Sequence, residues 1–151
     1  MKDYVVKSGS NNDIKRIVEV DRVVFGLSRT PEEVKDKLRL RKNVHITIAT
    51  IANDELVGYG IGYEEKSKYY LWSLAVSPEY RRKGIGSDII EEQITFAKEK
   101  GYSSFFVKTS NRWKGMLTLL LKKEFNIIGF KEHEWQEGPL GSAIWLEKII
   151  L

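Results

Sequence analysis

At 151 residues, with 42% hydrophobic and 30% charged side chains, the chain has the size and balance of one folded domain, expected over residues 1–151. It has no cysteine and only two histidines, His45 and His133, which excludes disulfides, thiolate metal sites and a cysteine nucleophile; no metal is expected. No apolar run approaches the roughly 18 residues of a membrane span and Met1-Lys2-Asp3 does not open a signal peptide, so a cytoplasmic protein without a membrane partner is expected. The formal charge of +4 suits an anionic ligand.

The elements follow from pattern and punctuation. Residues 4–7 read as a short first strand, 8–12 as a turn cluster, and Ile14, Ile17, Val18 and Val20 fit a helix over 13–24. Thr30-Pro31-Glu32-Glu33 is a helix start, with Thr30 as N-cap, Pro31 in the first turn and Glu33 as the reaching carboxylate of a capping box. That helix runs to residue 40, and Lys35, Lys37, Arg39, Arg41 and Lys42 load its later half and the residues after it. Residues 44–51 and 56–63 form a hairpin around the turn 52–55, and Gly58, Gly60 and Gly62 predict close packing against that second strand. Lys66-Ser67-Lys68 turns the chain into a strand over 69–76. A helix follows, with Ile85, Ile89, Ile90 and Ile94 on one face and Gly101 as its cap, then a strand over 104–109, parallel to the previous one. A loop over 110–115, a helix over 116–123 and a hairpin of 126–130 with 143–147, turning around 137–141, complete the chain. The two histidines are expected on strand faces.

The informative stretch is residues 71–87. An apolar strand stops near Pro78, which cannot donate to a ladder, and a basic turn with Gly84 and Gly86 leads into the helix. Both glycines can take positive φ and leave room for a ligand close to the backbone. Amides from Arg81 to Ser87 at a helix start form an anion site, with Arg81, Arg82 and Lys83 adding charge; a diphosphate is the natural ligand. The P-loop pattern and the G-x-G-x-x-G dinucleotide pattern are both absent.

What is present is V-x-P-x-x-R-x-x-G-x-G, carried by Val76, Pro78, Arg81, Gly84 and Gly86. This resembles the acyl-CoA-binding motif of the GNAT superfamily of N-acyltransferases. The order β-α-α-β-β-β-α-β-α-β-β over nearly the whole chain is similar to that superfamily's fold. The resemblance implies an α/β (α+β) fold, with a mixed, mostly antiparallel sheet of six or seven strands flanked by about four helices. It also implies an enzyme, an N-acetyltransferase, which moves the acetyl group of acetyl-CoA to a primary amine of a small molecule or a peptide by direct attack. By position, the cofactor-binding residues would be Leu74, Ala75, Val76, Arg81, Arg82, Lys83, Gly84, Ile85, Gly86, Ser87 and Asn111. Leu74 to Val76 would offer a strand edge to the pantetheine arm, and the Val76 amide would polarise the thioester carbonyl. In many members the second helix shapes the acceptor pocket, so its basic residues would suit an anionic acceptor; the competing reading is a solvated helix face.

Two departures from the superfamily's pattern concern the chemistry. The tyrosine that serves many members as general acid falls on Leu120, and the fourth strand holds no carboxylate, only Ser73. The remaining candidates for the general base are Glu64 and Glu65, acting through water; alternatively both are turn residues paired with Lys66 and Lys68. Arg112 and Trp113 could clamp CoA, cover the acceptor or simply anchor the loop. The departures leave open an acyl-CoA-binding sensor domain without turnover. Nucleic-acid binding is disfavoured because acidic residues interrupt the basic clusters. The oligomeric expectation is a monomer or a homodimer.

Overall fold

The computed structural model describes residues 3–26, 29–135 and 138–151. It contains seven strands and four α-helices in the order β1 (Val5–Ser8), α1 (Ile14–Phe25), α2 (Pro31–Arg39), β2 (His45–Ile51), β3 (Glu55–Glu65), β4 (Lys68–Val76), α3 (Ile85–Glu99), β5 (Ser104–Ser110), α4 (Lys114–Lys122), β6 (Asn126–Lys131) and β7 (Ala143–Ile149). The strands form one sheet in the order β1-β2-β3-β4-β5-β7-β6, antiparallel except for β4 beside β5. This is the mixed α+β architecture expected from the sequence.

Local signals explain most boundaries. The Thr30 hydroxyl accepts from the Glu33 amide at 3.1 Å, capping α2. Lys66 and Ser67 both take positive φ, 52° and 68°, the conformation of a two-residue hairpin turn whose twist matches its strands. Gly101 ends α3 at φ 88°, where a side chain would be strained. Of the turn expected at 137–141, Glu137 lies outside the described residues, and Pro139–Gly141 form one 3₁₀ turn.

The core lies on both faces of the sheet. On one face, Ile14, Ile17 and Val18 of α1 and Val34 and Leu38 of α2 pack on Tyr59, Ile61 and Tyr63 of β3. On the other, Ile90, Ile94 and Ala97 of α3 and Leu120 of α4 pack on Tyr69, Leu71, Phe105, Val107 and Leu146. The β3 glycines lie under α3. A Cβ on Gly60 would stand 2.6 Å from Ile89, and one on Gly62 2.5 Å from the Tyr69 ring. Their lack of side chains lets the helix approach the strand backbone.

One irregularity sets the site. Ile61 pairs with Ser73 but Gly62 pairs with Leu71, so Trp72 is an extra residue in β4. A bulge of this kind turns the following side chains over to the opposite face. Tyr69 and Leu71 therefore face α3, whereas Ala75 joins the core beneath α1.

Candidate functional site

The pairing of β4 with β5 stops at Leu71–Val107, while β4 stays paired with β3 as far as Val76–Gly58 and β5 with β7 as far as Ser110–Ala143. The two parallel strands thus part beyond Trp72 and leave a wedge-shaped gap. The Ser77 amide donates to the Val57 carbonyl at 2.8 Å. Backbone groups alternate along a strand, so the Leu74 and Val76 amides point the other way, into the gap. The Val76 carbonyl on that side accepts from Arg81 Nε at 3.2 Å.

At the open end of the gap lies the start of α3. Its first recorded bond is from the Asp88 amide to the Gly84 carbonyl, 3.0 Å. The amides of Ile85, Gly86 and Ser87 come before it and have no partner within the helix. Gly84 takes φ 91° as expected, but Gly86 does not take positive φ; Arg82 does, at 64°. Gly86 is instead an ordinary helical residue, and a Cβ there would be 3.7 Å from Leu119 and 3.9 Å from Val76. It keeps open the space between α3, α4 and the end of β4. Arg81, Arg82, Lys83 and Gly84 are exposed. Such a turn, with free amides, a helix dipole and three cations, can hold an anion.

Tyr4 holds this turn from below. Its hydroxyl donates to the Asp88 carboxylate at 2.6 Å and also lies 3.3 Å from the Lys83 carbonyl. Burial, together with the Asp88 charge, pushes the phenol up to about 12. Sequence reasoning missed this residue, because no local pattern links it to a turn some eighty residues away.

On the opposite face, a polar chain runs under the gap. The Tyr59 hydroxyl donates to Asp21 Oδ1 at 2.7 Å and lies 2.8 Å from Ser73 Oγ. Arg29 clasps the same carboxylate, with Nη2 2.8 and 2.9 Å from its two oxygens and Nε 3.1 Å from Oδ2. Asp21 is 2% exposed. Burial and the Asp21 charge raise the Tyr59 phenol above its ordinary range, so it keeps its proton. Asp21 thus accepts from both Arg29 and Tyr59. With the one Tyr59 proton committed to Asp21, Ser73 donates to Tyr59. Ser73, on β4 next to the bulge, then keeps lone pairs that can accept.

Around this chain stand Trp72, Tyr63 and three cations. Arg29 Cζ and Lys37 Nζ lie 4.8 and 4.9 Å from the centre of the Trp72 ring, and Arg41 Cζ lies 4.8 Å from that of Tyr63. Burial, then the charges of Arg41 and Arg29, lower the Lys37 pKa.

The structure separates the two candidate bases. Glu65 lies on the Ser73 face and pairs with Arg41 at 3.1 Å; Glu64 lies on the α3 face and accepts from Tyr102 at 2.6 Å. The salt bridges of neither involve Lys66 or Lys68. Along β3, Glu65 is four residues from the partner of Ser73, about 13 Å in extended chain. Asn111 follows β5 at the open end, with its amide donating to the Pro139 carbonyl at 3.2 Å. Trp113 stands edge-on to Phe25 at 5.1 Å and beneath the Arg112 guanidinium at 5.0 Å, which ties the β5–α4 loop to the end of α1.

Leu120 is fully buried, and it is Leu119 that lies beside Gly86. His45 is on β2, 2.9 Å from Glu92; His133, expected on a strand, is in the turn after β6, where its Nδ1 accepts from the Gly138 amide at 2.8 Å. Among the described residues there is no cluster of metal-ligating side chains, and no helix is long and apolar enough to cross a membrane.

Comparison with known proteins bears on the fold and the family. The family model described as "Acetyltransferase (GNAT) family" matches residues 12–114. The Drosophila melanogaster protein "Probable N-acetyltransferase san" is 26% identical over 146 residues, which is 92% of this chain and 77% of that one. Among solved structures, the ribosomal-protein-S18-alanine N-acetyltransferase from Escherichia coli superposes with a TM-score of 0.84 at 16% identity, covering 97% of this chain and 94% of that one. The Salmonella typhimurium protein yncA, solved with its cofactor acetyl-CoA, superposes with a TM-score of 0.81 at 12% identity, covering 99% and 95%.

Proposed function

Because the chain belongs to the Acetyltransferase (GNAT) family, we propose that it is an N-acetyltransferase that moves the acetyl group of acetyl-CoA to a primary amine. The observation that carries this reading is the gap beyond Leu71–Val107, which lies between an anion-ready helix start and a hydroxyl with free lone pairs. In this reading the amides from Arg82 to Ser87 take the diphosphate, with Arg81, Arg82 and Lys83 around it. Leu74 to Val76 pair with pantetheine, and Asn111 lies beside it. The amine enters from the α1/α2 face and donates a hydrogen bond to Ser73. Its nitrogen lone pair attacks the thioester carbon, whose oxygen draws on the Val76 amide, and the carbon–sulfur bond breaks.

Two protons need destinations. A lysine-type amine has a pKa near 10.4, so only about one molecule in a few thousand is neutral at pH 7. Glu65, on the amine's face, takes that proton through water; Glu64, on the opposite face, is the weaker candidate. The second proton leaves the nitrogen as the tetrahedral adduct collapses and passes through water to the departing thiolate, which needs no enzyme acid because a thiol of pKa about 8.5 is a good leaving group. The leucines at 119 and 120 agree with this route, and kcat/KM for the amine is expected to rise with pH to a plateau.

Binding is tested first. Acetyl-CoA at about 100 times its Kd adds roughly 2.7 kcal/mol, a Tm increase of about 5–10 °C for a chain of this length. Gly86→Val, whose methyls would fill the space beside Val76 and Leu119, is expected to remove that increase. An unchanged affinity would mean that the diphosphate lies elsewhere. Release of CoA thiol with any primary amine then separates an enzyme from an acyl-CoA sensor, the reading that the missing phenol would otherwise favour.

A further inference from the structure

The cations on the amine's face are not equivalent. Arg29 is neutralised by Asp21 and Arg41 by Glu65. Lys37, partly buried between them, makes no hydrogen bond or ion pair with any described residue; its ammonium rests over Trp72 at 4.9 Å and Tyr63 at 6.0 Å. Three cations and two carboxylates leave one uncompensated positive charge in a half-desolvated aromatic setting. Desolvation makes such a charge costly to leave unpaired, and a bound anion would relieve it. The lowered Lys37 pKa has that same origin, burial first and then the two arginines.

Its position gives the charge a use. Trp72 is the extra residue of the β4 bulge and the immediate neighbour of Ser73, at the apex of the gap. An amine bonded to Ser73 has Trp72 as the next residue along the strand, and the Lys37 ammonium lies 4.9 Å from the centre of that indole. The geometry points to an acceptor that carries a carboxylate a few bonds from its amine, with Lys37 as the residue that binds it. This assignment rests on the transferase reading above and supplies its acceptor class. The same charge disfavours polyamines, whose extra ammonium groups would meet Lys37. It also lowers the pKa of a nearby ammonium, which helps form the neutral nucleophile.

Matched acceptors test this with acetyl-CoA, following thiol release. γ-Aminobutyrate is compared with butylamine and spermidine, and a peptide amide starting Asp-Ala with one starting Asn-Ala, which distinguishes a small molecule from a chain terminus. In at least one pair the carboxylate member is expected to lead by about tenfold in kcat/KM, the worth of one charge-assisted contact. Lys37→Met keeps the stem over Trp72 and is expected to erase that lead by lowering kcat/KM for the carboxylate member more than for the neutral one. Lys37→Glu is expected to turn the preference toward spermidine. Equal rates within both pairs, no turnover of either carboxylate member, or an equal loss for both members in Lys37→Met would overturn the assignment. The acetyl-CoA Tm shift, measured on every variant, keeps the two readings apart. If it is retained while the preference is absent, only this assignment fails; if the unaltered protein shows none, the transferase reading fails and takes this one with it.

Discussion

Along β3, Gly58, Gly60 and Gly62 lie under α3, while Tyr59, Ile61 and Tyr63, interleaved with them, lie under α1 and α2. The first set contributes backbone only. Helix α3 sits almost on the strand, and its start is thereby fixed beside the open end of the gap. The second set contributes large side chains, and the space between sheet and helices is filled by aromatic rings around a buried carboxylate and its partners. One face is specified by shape and the other by pairing. They should therefore fail differently: added volume harms the first, and a removed partner harms the second.

The largest effect is expected from Arg29→Met. It leaves the Asp21 carboxylate, 2% exposed, with Tyr59 alone. Breaking a fully buried pair costs about 3–5 kcal/mol; here water reaches part of the guanidinium, so about 2–4 kcal/mol is expected. That is a Tm decrease of about 5–15 °C by calorimetry. A decrease under about 1 °C would show that the pair is not what holds this face together.

Gly62→Val comes next and probes the other face. Its Cβ would overlap Gln93 Oε1 and stand 2.5 Å from the Tyr69 ring, whereas one on Gly58 would meet nothing nearer than 3.2 Å. Overpacking of this kind costs about 1–3 kcal/mol, and because α3 must shift, acetyl-CoA binding is expected to weaken as well. Gly58→Ala should be milder on both measures. Equal effects at the two positions would contradict the idea that close approach of the helix is the constraint.

Tyr59→Phe removes one hydroxyl from the polar chain and little volume. A loss of about 1–2 kcal/mol is expected. The acetyl-CoA Tm shift should remain, because the altered group faces away from α3. The acceptor KM should rise as Ser73 loses its orienting partner, and Ser73→Ala in the same background should then add little. Full additivity in the double variant would show that the two hydroxyls act independently.

The smallest effect concerns acid. At the closed end of the gap, Glu147 of β7 accepts from Lys68 of β4 and from Ser104 of β5, the latter at 2.7 Å. Those bonds, with Lys68 foremost, hold its pKa below the usual glutamate range. A carboxylate depressed in the folded state adds stability above its unfolded pKa, near 4.3, and that stability is lost as pH falls through the lower folded value. Glu147→Gln should therefore lower Tm by about 1–2 °C at pH 7 and by progressively less as pH falls below about 4. A difference that persists undiminished in acid would assign the effect to packing.

The sequence by itself determined whatever is encoded within a few neighbouring residues. Thr30 caps α2 because its own hydroxyl reaches an amide three residues on, and Gly84 and Gly101 take the φ that only they adopt cheaply. The isoleucine spacing in α3 declared its buried face. The motif around Val76 to Gly86 is local in the same sense, so the basic glycine turn that opens α3 could be read directly. Tertiary structure decided what depends on register and on distant partners. The bulge at Trp72 turns Ser73 toward Tyr59, and no count of alternating residues reveals a one-residue slip that becomes visible only against β3. The opening between β4 and β5 is a relation between strands joined through a whole helix. Asp21, which reads as one more acidic residue on a helix, is buried because Arg29 and Tyr59 converge on it. Backbone preferences act over a few bonds and can be read residue by residue, but the pairing of a buried charge acts through space, and only the folded chain brings its partners together.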